Sequence, residues 1–326
     1  MQDNLNPSNP DPMNAAPSSP TGTTTATKPR KSLGSMIWGS LYPPLIFVGM
    51  QMVVGMVYAF ILIFSMIFQG MSSGAADPLA TLQDDMMQRL IGDSLLITLL
   101  VDVVLIPLYY FLFRLDRKKA PQTKISSIRP LDYLLVAVLA VASNFLISAV
   151  IVGFNLYSLF PDYANLGDMI GSAPMWLQFL TVGIAAPIVE ELLMRGLVLD
   201  RMRRYMPVIP AILIQAVIFG VIHMNILQGA YAALLGVILG IIYVRYNSIV
   251  PCIVFHIVLN SLSVLLPENF GADWNPLVFG LISLVIVAGG MFLLKIRKVN
   301  TVHHLGENPV PFPESVVAEE TVETNR

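Results

Sequence analysis

Two adjacent carboxylates and a guanidinium, Glu190, Glu191 and Arg195, fall within six residues in the stretch Pro187-Ile188-Val189-Glu190-Glu191-Leu192-Leu193-Met194-Arg195-Gly196. The segment that carries them is otherwise apolar, running from Pro174 through Trp176, Phe179, Ile184 and Ala185. A charge at bilayer depth costs about 2.5–3.5 kcal/mol on insertion scales, and each Leu or Ile offsets only about 0.3–0.6. Such a cluster needs partners. Glu191 and Arg195 are four apart with the acid first, which makes them helix neighbours in the favoured order. Glu190 projects about 100° round the helix from Glu191 and has no counter-charge in its own segment.

Three polar groups elsewhere reach the level of Glu190. From Glu190 to a turn at Met206 is 16 residues, and from Met206 to His223 is 17. Both therefore stand about 25 Å above that turn. The charged run 200–205 must protrude, which leaves the two groups about 15 Å inside the boundary. From a second turn near Asn247, His256 is 9 residues up and Asn260 is 13, or about 13 and 20 Å. The i,i+4 spacing puts His256 and Asn260 on one face, and Phe219 on the face of His223. The chain's other histidines, His303 and His304, lie in its polar tail.

A Glu beside a His can hold a water and take its proton, which is general-base hydrolysis. His and Asn can donate hydrogen bonds to a developing oxyanion, where low dielectric strengthens them. Plainer readings compete. A lone histidine in a membrane is more often a packing residue, and a Glu pair also serves as an interhelical anchor or a coupling-ion site. Asp102 and Asn144 read as structural. The shared depth of Glu190, His223, His256 and Asn260 favours chemistry. No H-E-x-x-H occurs, and the G-x-S-x-G match at Gly70-Met71-Ser72-Ser73-Gly74 lacks a preceding strand and reads as chance.

The positioning elements are membrane helices. Of 326 residues 55% are hydrophobic and 12% charged, with mean hydropathy +0.70, which describes an all-α polytopic membrane protein. Apolar segments at 44–68, 94–113, 131–154, 174–199, 208–224, 227–244, 249–266 and 275–294 make about eight transmembrane helices enclosing an intramembrane site. Residues 36–43, ahead of the first span, are placed along the interface. Gly236 and Gly240 form a small-xxx-small pair expected to hold segments five and seven together. The single cysteine, Cys252, excludes an intrachain disulfide and a Cys-based zinc cluster.

Residues 1–35 read as a disordered cytoplasmic tail, 36–298 as the transmembrane domain, and 299–326 as a flexible cytoplasmic tail. No cleavable signal is visible, so the first span is expected to stay as an anchor. Basic residues cluster at alternate ends of the spans, at Arg114, Arg117, Lys118, Lys119, Lys124 and Arg129, at Arg201, Arg203 and Arg204, at Arg245, and at Lys295, Arg297 and Lys298. With eight crossings, the positive-inside rule puts both termini in the cytoplasm, in the plasma membrane. No nucleic-acid partner is expected.

Glu190-Glu191-x-x-x-Arg195, Phe219-x-x-x-His223 and His256-x-x-x-Asn260, with the run Tyr243–Pro251 before the last of them, resemble the three motifs of the CPBP family of CAAX proteases and bacteriocin-processing enzymes. The resemblance covers a core at about residues 174–266. It implies an intramembrane glutamic endopeptidase without a cofactor, acting on a membrane-associated protein or peptide, lipidated or not. Glu190 would activate the water with His223 helping to hold it, His256 and Asn260 would form the oxyanion hole, and Glu191, Arg195 and Phe219 would brace the site. The metalloprotease alternative would place zinc on Glu190, His223 and His256. A non-enzymatic alternative is an immunity or scaffold protein that keeps the motifs for packing. An ion-coupled transporter would call for broken helices or internal pseudo-symmetry, and neither pattern is visible.

Overall fold

The computed structural model describes residues 33–72, 82–119, 128–266 and 274–297. Ser73 and Gly74, Lys124, Lys298, His303 and His304 lie outside the described residues, as do both expected tails except 33–35, the first turn of α1. The described chain is helical throughout, from α1 (Leu33–Ser72) through α2 (Leu82–Gly92), α3 (Ser94–Lys119), α4 (Pro130–Gly153), α5 (Leu156–Leu159) and α6 (Pro161–Gly171). A continuous helical rod follows, built from α7 (Met175–Gln178), a π segment (Phe179–Ala185), α8 (Ala186–Glu191), a second π segment (Leu192–Leu199) and α9 (Asp200–Met202). Then come α10 (Val208–Val221), α11 (Ile226–Tyr246), α12 (Val250–Leu265) and α13 (Pro276–Ile296). This is an all-α polytopic membrane protein.

All eight apolar segments are helical, but they are not alike. Among the described residues five helices are long and apolar enough to cross a membrane: Gly34–Gln69, Ser94–Lys118, Pro130–Gly153, Ile226–Tyr246 and Pro276–Ile296. The other three, the rod 175–202, α10 and α12, are the ones that carry the charged and polar motifs. At 14 residues α10 spans about 21 Å, less than the hydrocarbon thickness of about 30 Å. Its end therefore lies within the protein's depth, and His223 stands in the turn beyond it rather than on the helix.

The rod 175–202 is the centre of the bundle. Every residue from Glu191 to Arg201 is buried. The segments α3, α12, α10, α11 and α1 all pack on it, while α4 joins α12 to α13 on the outside. Two π segments flank the Glu190-Glu191 pair; each inserts residues into the i→i−4 ladder and re-aims the side chains that follow, a feature common at functional sites.

The α10–α11 hairpin closes through small residues. A Cβ on Gly220 would stand 2.5 Å from the Gly229 carbonyl oxygen, and one on Gly229 would stand 2.7 Å from that of Gly220. Gly236 and Gly240 also face α10, against Ala216 and Ile212. Their spacing thus draws segment six onto segment five, and segment six also packs on segment seven. Segment seven meets α11 in part through the Cys252 thiol, which donates to the Leu239 carbonyl.

Pro43 and Pro44 lie inside α1, so residues 36–43 belong to the same helix as the span that follows. Proline has no N–H, which frees the carbonyl one turn earlier. Arg201 answers that loss. Its guanidinium donates to the Gly39 carbonyl, to Asp116 at 2.5 Å and to the Tyr42 hydroxyl at 2.8 Å, tying α1 and α3 to the end of the rod. Beside it, Asp200 accepts from Arg203 at 2.7 Å, Arg204 at 2.5 Å and the Tyr243 hydroxyl at 3.1 Å. Burial pushes the Asp200 carboxyl up, but Arg203, Arg204 and Arg117 outweigh it and hold it below the usual aspartate range.

Gly220→Ala should destabilise the protein by about 1–3 kcal/mol, because backbone must move to admit the methyl group; thermal unfolding in detergent reads the loss. Asp200, with its folded-state pKa depressed, contributes stability that is present above the unfolded aspartate pKa of about 3.9 and lost as pH falls through the lower folded value. Asp200→Asn should therefore lower the melting temperature at neutral pH and leave a smaller fall between neutral and acid pH, as melts across that range will show.

Candidate active site

α8 delivers Glu190 and Glu191 one residue apart, and burial separates their roles. The Glu191 side chain is 0% exposed and that of Glu190 14%, so of the two only Glu190 is open to its surroundings. Arg195 Nη1 donates to Glu191 Oε1 at 2.7 Å, across the single turn that the spacing anticipated. The same oxygen meets His256 Nδ1 at 2.8 Å. That second contact joins residues 65 apart in the chain, and no local pattern signals it.

Arg195 is itself fully buried and is met on several sides, while its Nε has no hydrogen-bond partner among the described residues. Its guanidinium lies over the Phe219 ring, 4.7 Å from the centroid, and Nη2 donates to the Gly236 carbonyl at 3.4 Å. Gln215 Nε2 donates to that carbonyl at 2.8 Å. The close approach at Gly236 thus puts backbone where a buried cation needs an acceptor. Phe219 meets both histidines edge-on, His223 at 4.8 Å and His256 at 6.0 Å between ring centroids. One aromatic ring therefore spaces the arginine and the two imidazoles.

The two histidines are anchored differently. His223 Nδ1 lies 2.7 Å from the Phe219 carbonyl oxygen, which can only accept, so Nδ1 carries the hydrogen and Nε2 is the atom left for other work. Met224, next in the turn, has φ 54°, a left-handed conformation that reverses the chain tightly after His223. In His256, Nδ1 is turned to Glu191 and Nε2 stands 3.6 Å from Glu190 Oε2. That separation is too long for a hydrogen bond but admits a shared third group. His256 thus faces Glu190, while His223 is aligned on its own helix end.

Asn260, one turn beyond His256, donates through Nδ2 to the Val182 carbonyl at 3.0 Å. Val182 is in the first π segment, so a carbonyl of that segment orients the amide, and a second amide hydrogen remains in the group. Ser261 Oγ donates to the adjoining Gly183 carbonyl at 3.3 Å. Asn144 donates to the Leu259 carbonyl and to Ser263 Oγ at 2.7 Å, tying α4 to α12 behind the site. Glu190, Glu191, Arg195, Phe219, His223, His256 and Asn260 are thus linked through direct contacts or shared elements.

Among the described residues no three His, Cys, Asp or Glu side chains are grouped to hold a metal ion. Glu190, His223 and His256, the set named for zinc, are not grouped in that way.

Removing one member of a buried ion pair leaves the other uncompensated. Arg195→Met should therefore destabilise the protein by about 3–5 kcal/mol. Adding Glu191→Leu to it should recover part of that loss, and melting of the two variants checks this.

Residues 172–262 match the family model described as type II CAAX prenyl endopeptidase Rce1-like. No curated protein and no solved structure matches the chain. The matched stretch contains the two π segments, the buried Glu191–Arg195–His256 set, Glu190, His223 and Asn260. Over that stretch the chain is similar to the type II CAAX prenyl endopeptidases.

Proposed function

We propose that the protein hydrolyses a peptide bond of a membrane-associated protein or peptide by Glu190-activated water, without a metal. The observation that carries this reading is the division of labour on α8. Glu191 is committed to Arg195 and His256, and Glu190 is the carboxylate left partly open beside an imidazole. Glu190 takes a proton as the water attacks the carbonyl carbon, and returns it to the amine as the C–N bond breaks. His223 Nε2 helps hold the water. The Asn260 amide and His256 donate to the tetrahedral oxyanion, in surroundings where little water competes. Glu191, Arg195 and Phe219 fix His256 and the face from which Glu190 projects.

The basic end, with Arg117, Arg201, Arg203, Arg204, Arg245 and Arg297, is the cytoplasmic one in this reading, which places both termini in the cytoplasm of a plasma-membrane protein. The peptide is defined by its membrane tether, with or without a lipid on it.

In proteoliposomes, Glu190→Gln should cut the cleavage rate of a tethered peptide at least about 100-fold while leaving the melting temperature unchanged. Wild-type cleavage should persist in chelator. A Glu190→Gln protein that cleaves at the wild-type rate would remove Glu190 from the chemistry.

A further inference from the structure

α3 buries one stripe, Val101, Asp102, Leu105 and Tyr109, and turns Val103, Val104 and Leu108 outward. It packs on α8 and on both π segments, and Thr181 Oγ1 of the first π segment donates to the Leu95 carbonyl at 3.4 Å, which fixes α3 against the rod. Asp102 is 0% exposed, yet neither of its carboxyl oxygens has a hydrogen-bond partner among the described residues. Glu190, on α8, lies close enough to act on it across space.

Each of the other deeply buried acids has an ionic partner, although Glu191 Oε2 and Asp132 Oδ1 make no hydrogen bond of their own among the described residues. Glu191 has Arg195 and His256, Asp200 has Arg203 and Arg204, and Asp132 has Arg297 at 3.1 Å and the Arg129 backbone N–H at 2.9 Å. Buried polar groups are almost always paired, and an unpaired one beside a reactive carboxylate indicates a partner that arrives with the reaction. A purely structural role gives no reason for an acid here. Leu has the same branched skeleton and would suit a helix face lined by Val101 and Leu105, without the desolvation cost of a carboxyl group.

We propose that Asp102 is a positioning residue of this site, its carboxyl group hydrogen-bonding from α3 the water that Glu190 activates. The inference rests on the reading of Glu190 as the base. It adds a second acid, from a helix outside the matched stretch 172–262, to the groups that hold the water.

Asp102→Leu and Asp102→Asn in the full-length protein test it. Asp102→Leu should lower kcat at least about 100-fold with KM within about two-fold of wild type, the signature of a lost interaction specific to the transition state. Its melting temperature should equal or exceed that of wild type, because an unpaired polar group has been removed. Asp102→Asn, which can still hydrogen-bond a water, should retain kcat within about ten-fold. The proposal is overturned if Asp102→Leu cleaves like wild type, if it melts well below wild type, or if Asp102→Asn is as inactive as Asp102→Leu. Should wild type itself cleave nothing, the proposed function falls, while the melting comparison still decides whether Asp102 has a structural partner.

Discussion

The structure depends on giving the Arg195 guanidinium partners in a place that water does not reach. A guanidinium with 0% exposure is tolerated only if carboxylate, carbonyl and aromatic face surround it. Each of those partners comes from a different element: Glu191 from the same helix, the Gly236 carbonyl from α11 and the Phe219 ring from α10. Meeting that demand brings three helices together at one height. It also draws α12 in, because the Glu191 oxygen bound to Arg195 meets His256 as well.

Helix geometry around this centre departs from the ordinary for a shared reason. A regular α-helix long enough to cross the bilayer presents its side chains in fixed registers. The rod 175–202 instead changes register twice, on either side of Glu190-Glu191, and α10 stops short so that His223 occupies a turn. Irregular backbone at this depth is tolerated where protein rather than lipid surrounds it. The long helices α1, α3, α4, α11 and α13 supply that surrounding, and the Gly220–Gly229 approach lets the short hairpin sit tightly within it.

Much of this could be read from residue order. Eight apolar segments, the Glu191–Arg195 pair and the presence of polar groups on segments four, five and seven all follow from local spacing or hydropathy. Helix periodicity reports only one turn ahead, however, so it is silent about Glu191 meeting His256 or about which helix Gly236 faces. It also assumes 3.6 residues per turn, which fails inside a π segment and past the end of α10. Pro43 was visible, but its consequence, a free Gly39 carbonyl taken by Arg201 from 162 residues away, was not. Asp102 looked like one more structural acid because a sequence shows which residues are polar without showing which of them go unpaired.

The central claim is that Glu191 is held by Arg195 and His256 so that Glu190 alone meets the reacting groups. An experimental structure with a peptidyl phosphonate, whose tetrahedral centre imitates the attacked carbonyl, tests it most directly. The phosphonyl oxygens should lie about 3 Å from Glu190 and from Asn260 Nδ2, with the Glu191 contacts to Arg195 and His256 intact. A phosphonate bound by Glu191, or seated away from Glu190 altogether, would contradict it.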